Sequence, residues 1–133
     1  MAQQQDTETT PIRVLLIDDE VGYVNVLSNR LSKRGFEVGK ANSGSEALQC
    51  LRQQDYDVAV LDLKMEDMDG IEILKILKKM VPELVVIMLT GHGSAEAAHE
   101  GIKEGAYDYL TKPCELADLV EKIREAYGQR EKS

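Results

Sequence analysis

The sequence predicts an α/β domain: a five-stranded parallel sheet, doubly wound, with helices on both faces and so three layers. Two observations carry that reading. Short apolar blocks alternate five times with stretches of helical periodicity, and the connections are too long for hairpins, which leaves parallel pairing through crossover helices. The fourth block, LVVIML at 84–89, is apolar without interruption, as a strand buried on both faces should be.

The elements follow in order. Residues 1–10 have no apolar periodicity and read as a tail, 11–128 as the domain, and 129–133 as a C-terminal tail. IRVLLI at 12–17 is the first strand. Val21, Val24, Leu27 and Leu31 then recur at helical spacing, and KRG at 33–35 closes that helix with basic residues and a glycine. FEVGKA at 36–41 is a second strand. SGSE at 43–46 has the spacing of a capping box, followed by Ala47, Leu48 and Leu51. DVAVLDL at 57–63 is the third strand, Asp69-Gly70 a turn, and Ile71, Leu74 and Leu77 a helical stripe ending in Lys78 and Lys79. After the fourth strand come Ala95, Ala98 and Ile102, a thinly apolar helix closed by Gly105. AYDYL at 106–110 is a short fifth strand, and Leu116, Leu119, Val120, Ile123 and Tyr127 make the last helix.

Composition narrows the function. At 133 residues, 43% hydrophobic and 30% charged, the chain suits one domain with an ordinary core. No apolar run approaches the roughly 20 residues that span a bilayer. MAQQQDTETT lacks the basic and apolar regions of a signal peptide, so a cytoplasmic protein with no membrane contact is expected. Cys50 and Cys114 have no metal-ligand spacing and read as reduced thiols. A formal charge of −8 at pH 7 disfavours nucleic acid as a direct partner and favours cations or basic protein surfaces.

The apolar first strand ends in Asp18, Asp19 and Glu20. At about 4 Å, two unit charges repel by roughly 1 kcal/mol in water and about 4 kcal/mol near a protein surface, so something must offset this knot of acids. Ligands of such sheets bind beyond the carboxyl ends of the strands. Strand one delivers Asp18 and Asp19 there, strand three Asp62, strand four Thr90, and strand five Lys112 followed by Pro113. Strand two offers only Asn42 and Ser43, which capping explains. Three converging carboxylates form a hard oxygen site suited to Mg²⁺, which takes one or two carboxylates, waters and a phosphate oxygen. Lys112 and Thr90 suit the oxygens of a phosphoryl group in transfer, and one carboxylate could serve as its nucleophile.

Taken together, LLIDDE, VLDLKMEDMDG, MLTGHGS and AYDYLTKP resemble the receiver domain of two-component response regulators, over about residues 11–127. The resemblance implies the flavodoxin-like strand order 2-1-3-4-5, as in a chemotaxis receiver. It implies that Asp62 accepts a phosphoryl group from the phosphohistidine of a sensor histidine kinase or phosphotransfer protein. Asp18 and Asp19 then hold Mg²⁺ with Asp62 and the backbone carbonyl of Lys64. Thr90 bonds the phosphoryl group and shifts on activation, Lys112 pairs with its oxygens, and Tyr109 occupies the switch-aromatic position. The Lys112–Pro113 peptide is expected to be cis. Lys64 and His92, each two residues beyond a site residue, are expected to tune the lifetime of the phosphorylated state. The signal would pass through the face of the fourth helix, fifth strand and fifth helix to an output partner or domain, with a phosphorylation-dependent dimer as one form of output. The chain would catalyse only its own phosphorylation and dephosphorylation.

Glu66 stands where receivers commonly carry proline. TGHGS and GAYDYLTKP are similar to receivers of nitrogen-regulation-type transcription factors, which favours a receiver from a longer regulator over a stand-alone one. Three other readings fit the sequence less well. A phosphatase of the haloacid dehalogenase type needs a D-x-D arrangement after strand one, where this chain has adjacent acids. A flavin binder needs a Ser/Thr/Gly-rich phosphate loop there, and DDE would repel phosphate. A binding module that is never phosphorylated would not need the full acid, threonine and lysine set. No G-x-G-x-x-G or P-loop is present.

Overall fold

The computed structural model describes residues 10–91 and 95–132; residues 1–9 of the expected tail lie outside them. The elements alternate strictly: β1 (Arg13–Ile17), α1 (Val21–Lys33), β2 (Glu37–Ala41), α2 (Gly44–Gln53), β3 (Val58–Asp62), α3 (Gly70–Met80), β4 (Val85–Thr90), α4 (Ala95–Lys103), β5 (Asp108–Thr111) and α5 (Leu116–Lys132). The strands form one parallel sheet in the order β2-β1-β3-β4-β5, the flavodoxin-like order.

Strand alternation divides the core in two. Leu15, Ile17, Ala59, Leu61, Val86 and Met88 face Ala47 and Leu51 of α2 and Ile73, Leu74 and Leu77 of α3. Val14, Leu16, Val58, Val60, Ile87 and Leu89 face Val24, Leu27 and Leu31 of α1 and Leu119, Val120 and Ile123 of α5. The central strands are therefore apolar through Val14–Ile17, Val58–Leu61 and Val85–Leu89, each fully buried large side chain contributing about 1.5–3 kcal/mol, and the sheet lies between two helical layers. Helix α4 joins the α2/α3 side, where Gly101 sits against Met88 so closely that a Cβ would fall 2.1 Å from its sulfur.

Local chemistry sets the helix ends. Ser43 Oγ accepts the Glu46 N–H at 3.0 Å and Glu46 Oε1 accepts the Asn42 N–H at 2.7 Å, the reciprocal capping of α2. Gly35 and Gly105, at φ 95° and 114°, follow α1 and α4 in the left-handed conformation that glycine adopts without penalty.

Some expectations need correction. Asp69 and Gly70 are not a free turn: Asp69 caps α3 through the Glu72 N–H, and Gly70 is its first residue. Val21 and Ile102, read among the apolar periodic positions of the first and fourth helices, are 53% and 40% exposed. β5 begins at Asp108 rather than 106, and Ala106 and Tyr107 lead into it. The helix expected to end near Tyr127 runs on to Lys132, so most of the stretch read as a C-terminal tail is helical. Its last turns are held by Arg130, which pairs with Asp57 at the foot of β3, an anchor that an apolar stripe does not reveal.

Candidate functional site

Four of the five strand ends meet above the sheet as the sequence predicts. The β1–β2 ladder continues through the Asp18 N–H to the Ala41 carbonyl at 3.1 Å, which fixes Asp18 one residue past β1. Its side chain, on a residue only 3% exposed, accepts the Glu20 N–H at 2.9 Å and the Lys112 ammonium at 2.9 Å. Asp62 ends β3 and is 6% exposed; Oδ1 accepts the Lys64 N–H at 3.1 Å and Oδ2 lies 3.5 Å from Lys112 Nζ. Asp19 Oδ2 accepts the Glu66 N–H at 3.0 Å, tying the β3–α3 loop to the acid cluster. Thr90, buried at the end of β4, donates its hydroxyl to the Leu110 carbonyl at 3.5 Å, and the Lys112 N–H reaches the Thr90 carbonyl at 2.7 Å. The Lys112–Pro113 peptide is cis.

Electrostatics make this a site built for cations. Burial pushes the Asp62 pKa up, the nearby Asp18 charge adds to that, and the Lys64 N–H and Lys112 pull against it. Burial opposes the Lys112 charge, but its hydrogen bond to Asp18 and the charges of Asp62 and Asp18 outweigh that and hold its pKa above the usual range. One ammonium thus pairs with three carboxylates, since Glu20 also reaches it at 3.3 Å, and with Asp19 beside them the site stays strongly negative. Carboxylate oxygens of Asp18, Asp19 and Asp62 lie within 4.8 Å of one another, and the adjoining open cavity of about 470 Å³ is lined by Asp19, Asp62, Lys64, Glu66, Gly91 and Lys112. An all-oxygen set of this size and charge fits a small hard dication.

The remaining expectations sort as follows. Lys64 is exposed on the rim of that cavity. Tyr109 is half-buried on β5 against the α2/α3-side core. His99 is exposed on α4, and His92 lies outside the described residues. Cys114 does not have the lowered pKa that a helix start can give a thiol; burial and then Asp118 push it up. Three residues escaped the sequence reading. Glu20 reaches Lys112 rather than capping its own helix. Tyr23 places its ring 4.6 Å from the Lys112 ammonium. Asp67 accepts the N–H groups of Gly44 and Ser45 at 3.0 and 3.3 Å, pinning the β3–α3 loop to the start of α2. Only the adjacency of Glu20 to Asp18 and Asp19 was a usable signal; Tyr23 and Asp67 meet their partners through the fold alone.

The chain is similar to known proteins over most of its length. The family model for the response regulator receiver domain matches residues 14–124. The transcriptional regulatory protein ZraR of Escherichia coli (strain K12) is 37% identical over 115 residues, covering 86% of this chain and 26% of that protein. A putative NtrX-like response regulator of Rickettsia bellii is 37% identical over 117 residues, covering 86% and 24%. This chain therefore spans about a quarter of the length of these curated relatives. Among solved structures, a CheY-like receiver domain protein from Methanospirillum hungatei superposes with a TM-score of 0.88 at 32% identity, over 92% of this chain and 98% of that one. NtrX from Brucella abortus gives 0.87 at 31% identity, over 92% and 28%. Four strand ends converging in this order, on this strand topology, with a family match over most of the chain, leave one conclusion: the chain belongs to the response regulator receiver domain family of two-component systems.

Proposed function

We propose that the chain accepts a phosphoryl group on Asp62 from the phosphohistidine of a sensor histidine kinase or phosphotransfer protein, and passes the signal on through its α4–β5–α5 face to an output partner or domain. The observation that carries this is the buried Asp62 carboxylate, ending β3 with Lys112 at 3.5 Å and two further carboxylates in reach of one dication. In the transfer, an Asp62 oxygen attacks phosphorus. The O–P bond forms as the P–N bond breaks, and its electron pair leaves with the imidazole, which takes a proton from water. Hydrolysis later returns phosphate and the free carboxylate.

Asp18, Asp19 and Asp62, with the Lys64 carbonyl, are the residues that would hold Mg²⁺. Bound there, the ion supplies the positive charge that lets a phosphoryl group approach a cluster of carboxylates. Lys112 is placed to pair with a phosphoryl oxygen, and its raised pKa keeps it charged throughout the working range. Thr90 gives up little when its hydroxyl turns to the phosphoryl group, because its present bond to Leu110, at 3.5 Å, is long. That turn would free the Leu110 carbonyl next to the half-buried Tyr109, a local change through which acceptor and surface would be coupled. Lys64 and His92 are assigned to the lifetime of the phosphorylated state; hydrolysis rates unchanged in both Lys64→Ala and His92→Ala would remove that assignment. Among the described residues no helix is long and apolar enough to cross a membrane, in keeping with action in the cytoplasm.

Incubation with Mg²⁺ and acetyl phosphate followed by intact mass measurement tests the core of the proposal. One phosphoryl adduct is expected, lost in Asp62→Asn and when Mg²⁺ is removed. Its absence from the unaltered protein under all conditions would leave a binding module that uses the fold without phosphorylation.

A further inference from the structure

We propose that Tyr23 is a positioning residue for this reaction: its ring holds the Lys112 ammonium at the acceptor carboxylate. The proposal rests on the phosphoacceptor reading. Lysine carries a compact charge on a flexible four-carbon stem, so something must fix where that charge sits. Backbone bonding fixes only its base, through the N–H to the Thr90 carbonyl. The charge itself touches Asp18, Glu20 and Asp62 at 2.9, 3.3 and 3.5 Å, and the Tyr23 ring at 4.6 Å from its centroid.

These four partners are not equivalent. Asp18 and Asp62 are the oxygens a dication would claim, so their hold on Lys112 weakens when one binds. The Glu20 side chain is 67% exposed, and solvent and salt screen it. Tyr23 is uncharged and does not ligate a hard dication. The attraction of its ring face for the ammonium therefore persists whether or not the acids are engaged elsewhere. The ring is itself fixed: it is half-buried in the first turn of α1 and lines a small cleft of about 110 Å³ with Leu27 of the same helix and Cys114 and Leu119 on the α5 side. An aliphatic side chain there would fill the space but would not attract the cation.

Two variants separate attraction from packing, Tyr23→Phe retaining the ring face and Tyr23→Leu only apolar bulk. In the intact chain, phosphorylation of Asp62 by acetyl phosphate is expected to proceed within about two-fold of the unaltered rate in Tyr23→Phe, and about three- to ten-fold slower in Tyr23→Leu, with equal melting temperatures. A second readout needs neither metal nor phosphoryl donor. The Lys112 ε-methylene protons should show an upfield ring-current shift by NMR in the unaltered chain and in Tyr23→Phe, lost in Tyr23→Leu. Equal phosphorylation rates in all three proteins, or a Phe variant as slow as the Leu variant, would overturn the proposal. Unshifted Lys112 methylene resonances in the unaltered chain would overturn it independently. An unaltered chain that takes up no phosphoryl group defeats the phosphoacceptor reading instead, and the NMR shift then decides the Tyr23–Lys112 contact alone.

Discussion

Asp62 shows what a functional carboxylate costs its fold. Burial and the neighbouring Asp18 charge raise its pKa, so the native state binds this proton more tightly than the unfolded chain does. The associated stability is complete below the unfolded value of about 3.9 and is lost as pH rises through the raised native value. Near neutrality the ionised group is a strain on the molecule. Asp62→Asn keeps the shape and removes the charge, and is expected to raise the melting temperature by about 3 °C at pH 7, the gain shrinking as pH falls through the raised native pKa. Thermal unfolding of both proteins across that range checks this, and a lower melting temperature for the variant at pH 7 would mean that the bond to Lys112 outweighs the burial. Asp18, Asp19, Asp62, Thr90 and Lys112 were legible in the sequence because each sits at the end of a recognisable strand. Tyr23 was not, because a tyrosine in a first helical turn carries no mark of the lysine 89 positions later that it meets.

At the scale of elements, two glycines fix how closely helices approach the sheet. A Cβ on Gly70 would stand 2.5 Å from the Leu63 Cα and carbonyl oxygen, backbone that cannot move without shifting the loop next to Asp62. On Gly101 it would meet the flexible end of Met88. Gly70→Ala is therefore expected to cost about 3 kcal/mol and Gly101→Ala about 1–2 kcal/mol, read from denaturant unfolding; the reverse ranking would show that the loop yields more readily than the packed Met88. The elements themselves were readable because β1, β3 and β4 are buried on both faces and so leave apolar blocks, while Ser43 and Glu46 mark the start of α2 chemically. The end of α5 was not, because its anchor is an ion pair between Arg130 and Asp57, 73 positions apart. α4 buries only Ala98 and Gly101, so its amides are expected to exchange faster than those of α5, which buries Leu119, Val120, Ile123 and Ala126. Slower exchange in α4 would count against the proposal that the α4–β5–α5 face carries the signal.

At the scale of the whole molecule, the acid cluster links ion binding to stability. If Asp18, Asp19 and Asp62 hold Mg²⁺ only when folded, Mg²⁺ at ten times its dissociation constant adds about 1.4 kcal/mol. The melting temperature of the unaltered chain should then rise with Mg²⁺ and that of Asp18→Asn much less; equal shifts would place the ion elsewhere. The stabilisation should also fade as pH falls through the raised pKa of Asp62, since a protonated carboxyl is a poor ligand. The central claim, that Asp62 is the phosphoryl acceptor, is tested most directly by trapping the acyl phosphate. After Mg²⁺ and acetyl phosphate, borohydride reduces an aspartyl phosphate to homoserine, and peptide mapping locates it. Homoserine at position 62 and nowhere else is the expected result. Homoserine at another carboxylate, or none in a protein that has gained a phosphoryl group, would contradict the account.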